Sequence, residues 1–162
     1  MTFNTGSFET GYFNPVLVGS TSGLVLYKCV YWVENATHGG DISGNEVDTL
    51  FDFISNAENI AGNTDYRKCH LKNLGTSTGD KVIRPVIFAP TGLKERLTVE
   101  IASGYDYDDM SNKPADGNFS DSLSFNLGTN AYQPFWLKRT ISADADPDYY
   151  LNVKIALIIS EA

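Results

Sequence analysis

The sequence predicts an all-β fold: an antiparallel β-sandwich, jelly-roll or Ig-like, with one short helix and an extended N-terminal arm. Three observations predict it. Apolar residues recur with the two-residue period of a half-buried strand along several segments. Those segments are short and are separated by Gly, Pro, Asn and Asp turn signals. The chain has 162 residues, 42% of them apolar and 20% charged, which is one domain with a core of its own; at this length roughly 70% of the unfolded surface is buried.

Residues 1–19 are read as the arm and 20–162 as the sandwich. The arm carries Gly, Asn and Thr with isolated aromatics, Phe3, Phe8, Tyr12 and Phe13, too sparse to make a core. It is either a partly ordered terminus or an extended segment that orders on a neighbouring subunit by strand addition. Leu24–Val33 is the first expected strand. Val25, Tyr27, Cys29, Tyr31 and Val33 line one side and Leu24, Leu26, Val30 and Trp32 the other, so it needs a cover on both faces.

A helix is expected next. Ser43 and Glu46 have capping-box spacing, Ile42 and Val47 stand at the positions of a hydrophobic staple, and Val47, Leu50, Phe51 and Ile54 follow the helical period. It should cover one open end of the sandwich. Ser55-Asn56-Ala57-Glu58 can start a second short turn ending near Gly62. Further strands are expected at Tyr66–Leu71, Val82–Ala89, Arg96–Ile101, Ser122–Leu127, Pro134–Ile141 and Tyr149–Ile159. The last shows the alternation most fully, with Tyr149, Leu151, Val153, Ile155, Leu157 and Ile159 on one face.

Charge and cysteine content narrow the function. Twelve basic against 20 acidic residues, a formal net charge of −8, disfavour non-specific nucleic-acid binding and docking on anionic lipid. No stretch approaches the ~18 apolar residues of a membrane span, and the first residues lack the basic start and apolar run of a signal peptide. The sequons Asn35-Ala36-Thr37 and Asn118-Phe119-Ser120 are therefore read as chance matches. Cys29 and Cys69 are too few for a disulfide framework or a zinc site, and are read as small buried hydrophobes in a reducing compartment.

Catalytic signatures are lacking. Cys69 and His70 are adjacent on an expected strand, so they face opposite ways; Cys69 should be core and His70, beside Tyr66, Lys68 and Lys72, surface. His38 sits in a Gly-rich loop. There is no phosphate loop, zinc-protease helix or nucleophile elbow. Asp144, Asp146 and Asp148 have the alternate spacing of a calcium loop, but Tyr149 and Ile155 stand where Gly and Glu are required. They and the Tyr105–Asp109 loop are read as solvated turn acids, and no metal or cofactor is expected. Trp136 falls opposite the expected core face of Phe135, Leu137 and Ile141, as an interface anchor, a sugar-stacking platform, or a residue lying under a loop or the arm.

Leu50-Phe51-Asp52-Phe53-Ile54-Ser55, followed by Glu58, Gly62, Thr64, Tyr66-Arg67-Lys68-Cys69 and Lys72-Asn73, resembles a segment of small virion structural proteins of tailed bacteriophages. Phe135-Trp136-Leu137-Lys138-Arg139-Thr140 resembles their tryptophan-x-lysine-arginine-threonine strand, and the C-terminal strand agrees. The resemblance spans most of residues 24–160. It implies a non-enzymatic capsid decoration, or cement, protein on the capsid exterior, made in the host cytoplasm. Its partners would be the major capsid protein and copies of itself, with no nucleic acid or membrane. A tail, baseplate or receptor-binding component and a carbohydrate-binding sandwich are the alternatives. The resemblance carries no contact motif, so the interface candidates come from the residues themselves: Phe8, Tyr12 and Phe13 in the arm, Trp32 and Trp136.

Overall fold

A computed structural model describes residues 15–19, 22–28, 51, 55–76, 78–88, 93–104, 113–144 and 154–162. Among these residues eight strands run in the order β1 (Pro15–Gly19), β2 (Leu24–Lys28), β3 (Asn63–Asn73), β4 (Asp80–Phe88), β5 (Leu97–Ser103), β6 (Leu123–Asn126), β7 (Tyr132–Ile141) and β8 (Lys154–Glu161). Helix α1 (Asn56–Ala61) precedes β3, and a single turn, α2 (Leu93–Arg96), leads into β5. The strands form two four-stranded sheets, β1-β8-β4-β6 and β2-β3-β7-β5. Every pairing is antiparallel except that of β1 with β8.

The two-residue period explains the layers. In the second sheet, Cys69 lies opposite Phe135 and Ile101 opposite Leu137. In the first, Ile83 lies opposite Ile159. These inward residues, with Leu26, Leu71, Val99, Phe125, Ile155 and Leu157, form one buried cluster drawn from both sheets. Among the described residues the sandwich is open, since each sheet keeps its own two edges.

Two expectations are corrected. Pro15–Gly19, assigned to the arm, are a strand of the domain's own sheet, with Leu17 beside Leu157 and Gly19 beside Ile159. β1 and β8 are the first and last strands, so no short connection dictates an antiparallel pairing. Gly19 has φ +98, and a Cβ there would lie 2.2 Å from the Ile159 carbonyl oxygen, so only glycine lets the strand end this close to β8. The helix expected through Val47–Ile54 does not pass through Phe51, which is fully buried in a bridge conformation; the remainder of that segment, with Ser43 and Glu46, lies outside the described residues. The capped helix is α1. The Ser55 hydroxyl accepts from the Glu58 amide at 3.2 Å, and the Glu58 carboxylate accepts from the Ser55 amide at 2.7 Å. Gly62, at φ +79, ends it.

Phe51 closes one end of the sandwich with charged neighbours. The inward row of β3 passes from Cys69 to Arg67 and Asp65, and that of β7 from Leu137 to Arg139. The Arg67 and Arg139 guanidinium carbons lie 5.6 and 4.8 Å from the centre of the Phe51 ring. Arg139, 2% exposed, is paired with the Asp65 carboxylate. Asn63 Nδ2 donates to Asp65 at 3.1 Å and to Glu58 at 3.0 Å, linking the pair to the α1 cap. Burial pulls the Arg139 guanidinium below its ordinary value, and the hydrogen bond and charge of Asp65 oppose that pull. This is a satisfied polar network that seals an end of the core.

Candidate interaction surface

The outward face of the second sheet carries Tyr66, Lys68, His70 and Lys72 on β3, Trp136 and Lys138 on β7, and Glu100 and Ala102 on β5. This face was expected to be solvated at His70. Instead His70 is 2% and Lys68 3% exposed. His70 meets the Tyr132 ring edge-on at 6.3 Å between centroids, and the Lys72 ammonium lies 4.7 Å from the same ring centre. Cys69 is fully buried in the core, so Cys69 and His70 do face opposite ways.

Trp136 is on this outward face and is only 2% exposed. A strap of chain, Lys113–Ser120, returns over it and places Phe119 in a small second cluster with Trp136, Ala102 and Tyr66. Ser120 is bridged to Ile101 on the β5 edge by two backbone hydrogen bonds of 2.8 and 2.9 Å. The Tyr66 and Phe119 rings lie tilted at 5.7 Å. Gly104 allows the close approach beneath, because a Cβ there would lie 2.3 Å from Trp136 Cδ1.

A surface latch holds the strap. The Tyr66 hydroxyl donates to Asp116 Oδ1 at 2.7 Å and the Lys113 ammonium donates to the same oxygen at 2.9 Å. The ammonium also sits 4.1 Å from the Tyr66 ring centre. The hydrogen bonds from Lys113 and Tyr66 lower the Asp116 carboxyl below its usual range. Burial, then the bond to Asp116, raises the Tyr66 phenol, and the bond to Asp116 raises the Lys113 ammonium. Beside the latch, Lys138 pairs with Glu100 at 2.5 Å and lies 5.2 Å from the Phe119 ring centre.

Among the candidates named from the sequence, Trp136 is therefore placed under a strap. Phe8, Tyr12, Phe13 and Trp32 lie outside the described residues, as do Cys29, His38, Tyr105–Asp109, Asp146 and Asp148. Asp144 is half-buried and faces Arg96 at 3.4 Å, an ion pair that ties the end of β7 to α2. No group of three or more His, Cys, Asp or Glu with metal-holding geometry occurs among the described residues, and no described helix is long and apolar enough to cross a membrane. Sequence reading did not find Asp65 with Arg139, or Phe119 clustered with Trp136. The first pair had a findable signal, in ionisable residues on otherwise apolar inward rows.

Comparison with known proteins finds no matching family profile and no matching curated protein.

Proposed function

We propose that the chain is a non-enzymatic structural protein of a tailed-phage virion, a decoration protein that binds the outer capsid surface and stabilises the shell. One observation carries this reading. The Thr64–Asn73 part of the first segment that resembles phage virion proteins and the second such segment are adjacent central strands in register, with partners 68 to 76 residues apart in sequence: Thr64 opposite Thr140, Asp65 opposite Arg139, Tyr66 opposite Lys138 and Lys68 opposite Trp136. Residues of the two strands contact one another, through the Asp65–Arg139 ion pair and the Thr64–Thr140 hydroxyl contact at 3.4 Å. That the resembling positions on β3 and β7 pack together in this chain supports the reading.

The role asks for a rigid domain and apolar or aromatic contact surfaces. A two-sheet core and the Trp136–Phe119 face supply both. A sugar-stacking role for Trp136 has less support, because the side chain is only 2% exposed. The test is reconstitution: purified protein is added to cognate capsids lacking it, then binding is measured by sedimentation and shell rupture by a thermal ramp. Saturable binding with a raised rupture temperature is expected. No binding to expanded capsids sinks the decoration reading, and labelling confined to tails moves the protein to the tail or baseplate.

A further inference from the structure

The strap meets the β5 edge, among the described residues, at the single Ile101–Ser120 bridge. By the strand's two-residue period, the peptide groups of Val99 and Ser103 face the same edge as those of Ile101. Antiparallel continuation would set Asn118 beside Ser103 and Gly117 beside Gly104. The strap instead turns away there, in a 3-10 turn at Asp116–Asn118. The indole Nε1–H of Trp136 is left buried without a hydrogen-bond partner among the described residues. It points at that same corner, since a Cβ on Gly104 would lie 2.6 Å from it. Buried donors without partners are rare in native proteins. An extended strand that ran on past Ser103 would bring a backbone carbonyl to this one.

The strap's working sequence is Gly117-Asn118-Phe119-Ser120. Gly-x-Phe occurs at only two other places in the chain, Gly6-Ser7-Phe8 and Gly11-Tyr12-Phe13. Phe13 is separated only by Asn14 from Pro15, where the chain enters β1, which leaves it one residue of reach. Phe8 has six residues, Glu9–Asn14, which span at most about 20 Å when extended.

We propose that the N-terminal segment of a second copy of this chain adds to the β5 edge in place of the strap, with Phe8 taking the place of Phe119 in the cluster with Ala102, Trp136 and Tyr66 and the Gly6 carbonyl accepting the indole hydrogen. The strap is then a placeholder that covers the site until copies associate. The inference takes from the proposed function only that copies assemble; its test contains no capsid, so either can fail without the other.

The test is a titration of a synthetic peptide of residues 1–14 into the full-length Trp32→Phe variant, whose only tryptophan is Trp136. Amide chemical shifts of Ile101 and Ser120 in the unsubstituted chain give a second readout. Saturable change in both is expected. Phe8→Ala in the peptide should weaken binding at least tenfold, and Asp116→Asn in the protein, which loosens the latch without touching the core, should tighten it several-fold. Benzoylphenylalanine at position 8 in a mixture of isotopically light and heavy chains should cross-link light to heavy at Trp136 or its neighbours. No saturable change at millimolar peptide, equal binding of the Phe8→Ala peptide, or cross-links only within one chain would each overturn the proposal.

Discussion

Asp65→Asn tests the reading of the sealed end most directly. The substitution keeps the side chain's size and its contact with Asn63 but removes the charge that faces Arg139. The Arg139 side chain is 3% exposed and that of Asp65 24%. On the Phe51 side, Arg139 faces a ring 4.8 Å away, a weaker partner than a carboxylate. Leaving one member of a buried pair uncompensated costs about 3–5 kcal/mol. Water reaches Asp65, so the lower end applies, about 3 kcal/mol, or a fall in Tm of roughly 6–12 °C for a domain of this length. Arg139→Met leaves the charge on the partly hydrated member and retains the packing on Phe51, so it should cost less, about 1–2 kcal/mol. The double variant has neither charge and should lie close to Arg139→Met alone. Urea denaturation of all four proteins, with unchanged m-values, measures the cycle. A loss below about 0.5 kcal/mol for Asp65→Asn, or single costs that add within about 0.5 kcal/mol, would refute the claim that Arg139 depends on Asp65.

Phe51→Ala should cost about 3–5 kcal/mol, because the fully buried ring is replaced by a cavity under two guanidinium groups; a Tm within a few degrees of wild type would show that another residue seals this end. Gly19→Ala should detach β1 from β8 while sparing the other sheet, read as loss of amide protection confined to β1 and the β1-facing amides of β8. Lys81, 5% exposed, donates to Glu161 at 2.8 Å and by that bond, then by its charge, lowers the Glu161 carboxyl below its ordinary range. A lowered folded-state pKa means the contribution is complete above the unfolded value and disappears as pH falls through the folded one. Glu161→Gln should therefore be slightly less stable than wild type at neutral pH, with the Tm gap closing in acid. A gap that widens in acid would contradict the pairing.

The inward rows were legible because each strand carries its own record of them. Leu97, Val99 and Ile101, or Ile155, Leu157 and Ile159, declare a core face without reference to any partner. What could not be read depends on segments that return from elsewhere. Pro15–Gly19 shows no polar alternation, and its partner is the last strand of the chain. Tyr66 looks like part of a solvated row, and Trp136 like an exposed ring, until the strap some 50 residues beyond Tyr66 is laid across that part of the face. The helix shows a different limit. Ser43–Glu46 and Ser55–Glu58 have the same capping spacing, and spacing alone does not rank them. At Ser55 the cap is reinforced by Asn63 and the Asp65–Arg139 pair, a tertiary effect with no local trace.

The buried pair also bears on why the outward face is placed as it is. A sheet buried on one side loses its core face if a strand slips by one residue, yet β3 and β7 carry large side chains on both faces, so hydrophobicity alone discriminates weakly between registers. Moving β7 by one residue against β3 would turn Arg139 outward and carry Lys138 into the end of the core, leaving Asp65 facing no guanidinium. Buried ionic groups are best attested in this register-setting role. Holding Arg139 on Asp65 fixes Lys138 beside Glu100 and Trp136 beside Ala102 on the opposite face, which is where Phe119 seats. A residue sealed inside the sandwich thus determines the geometry offered on its surface. Asp65→Asn should then broaden the environment of Trp136 as well as lower stability, and an unchanged Trp136 emission spectrum in the still-folded variant, read in the Trp32→Phe background, would show that the two faces are set independently.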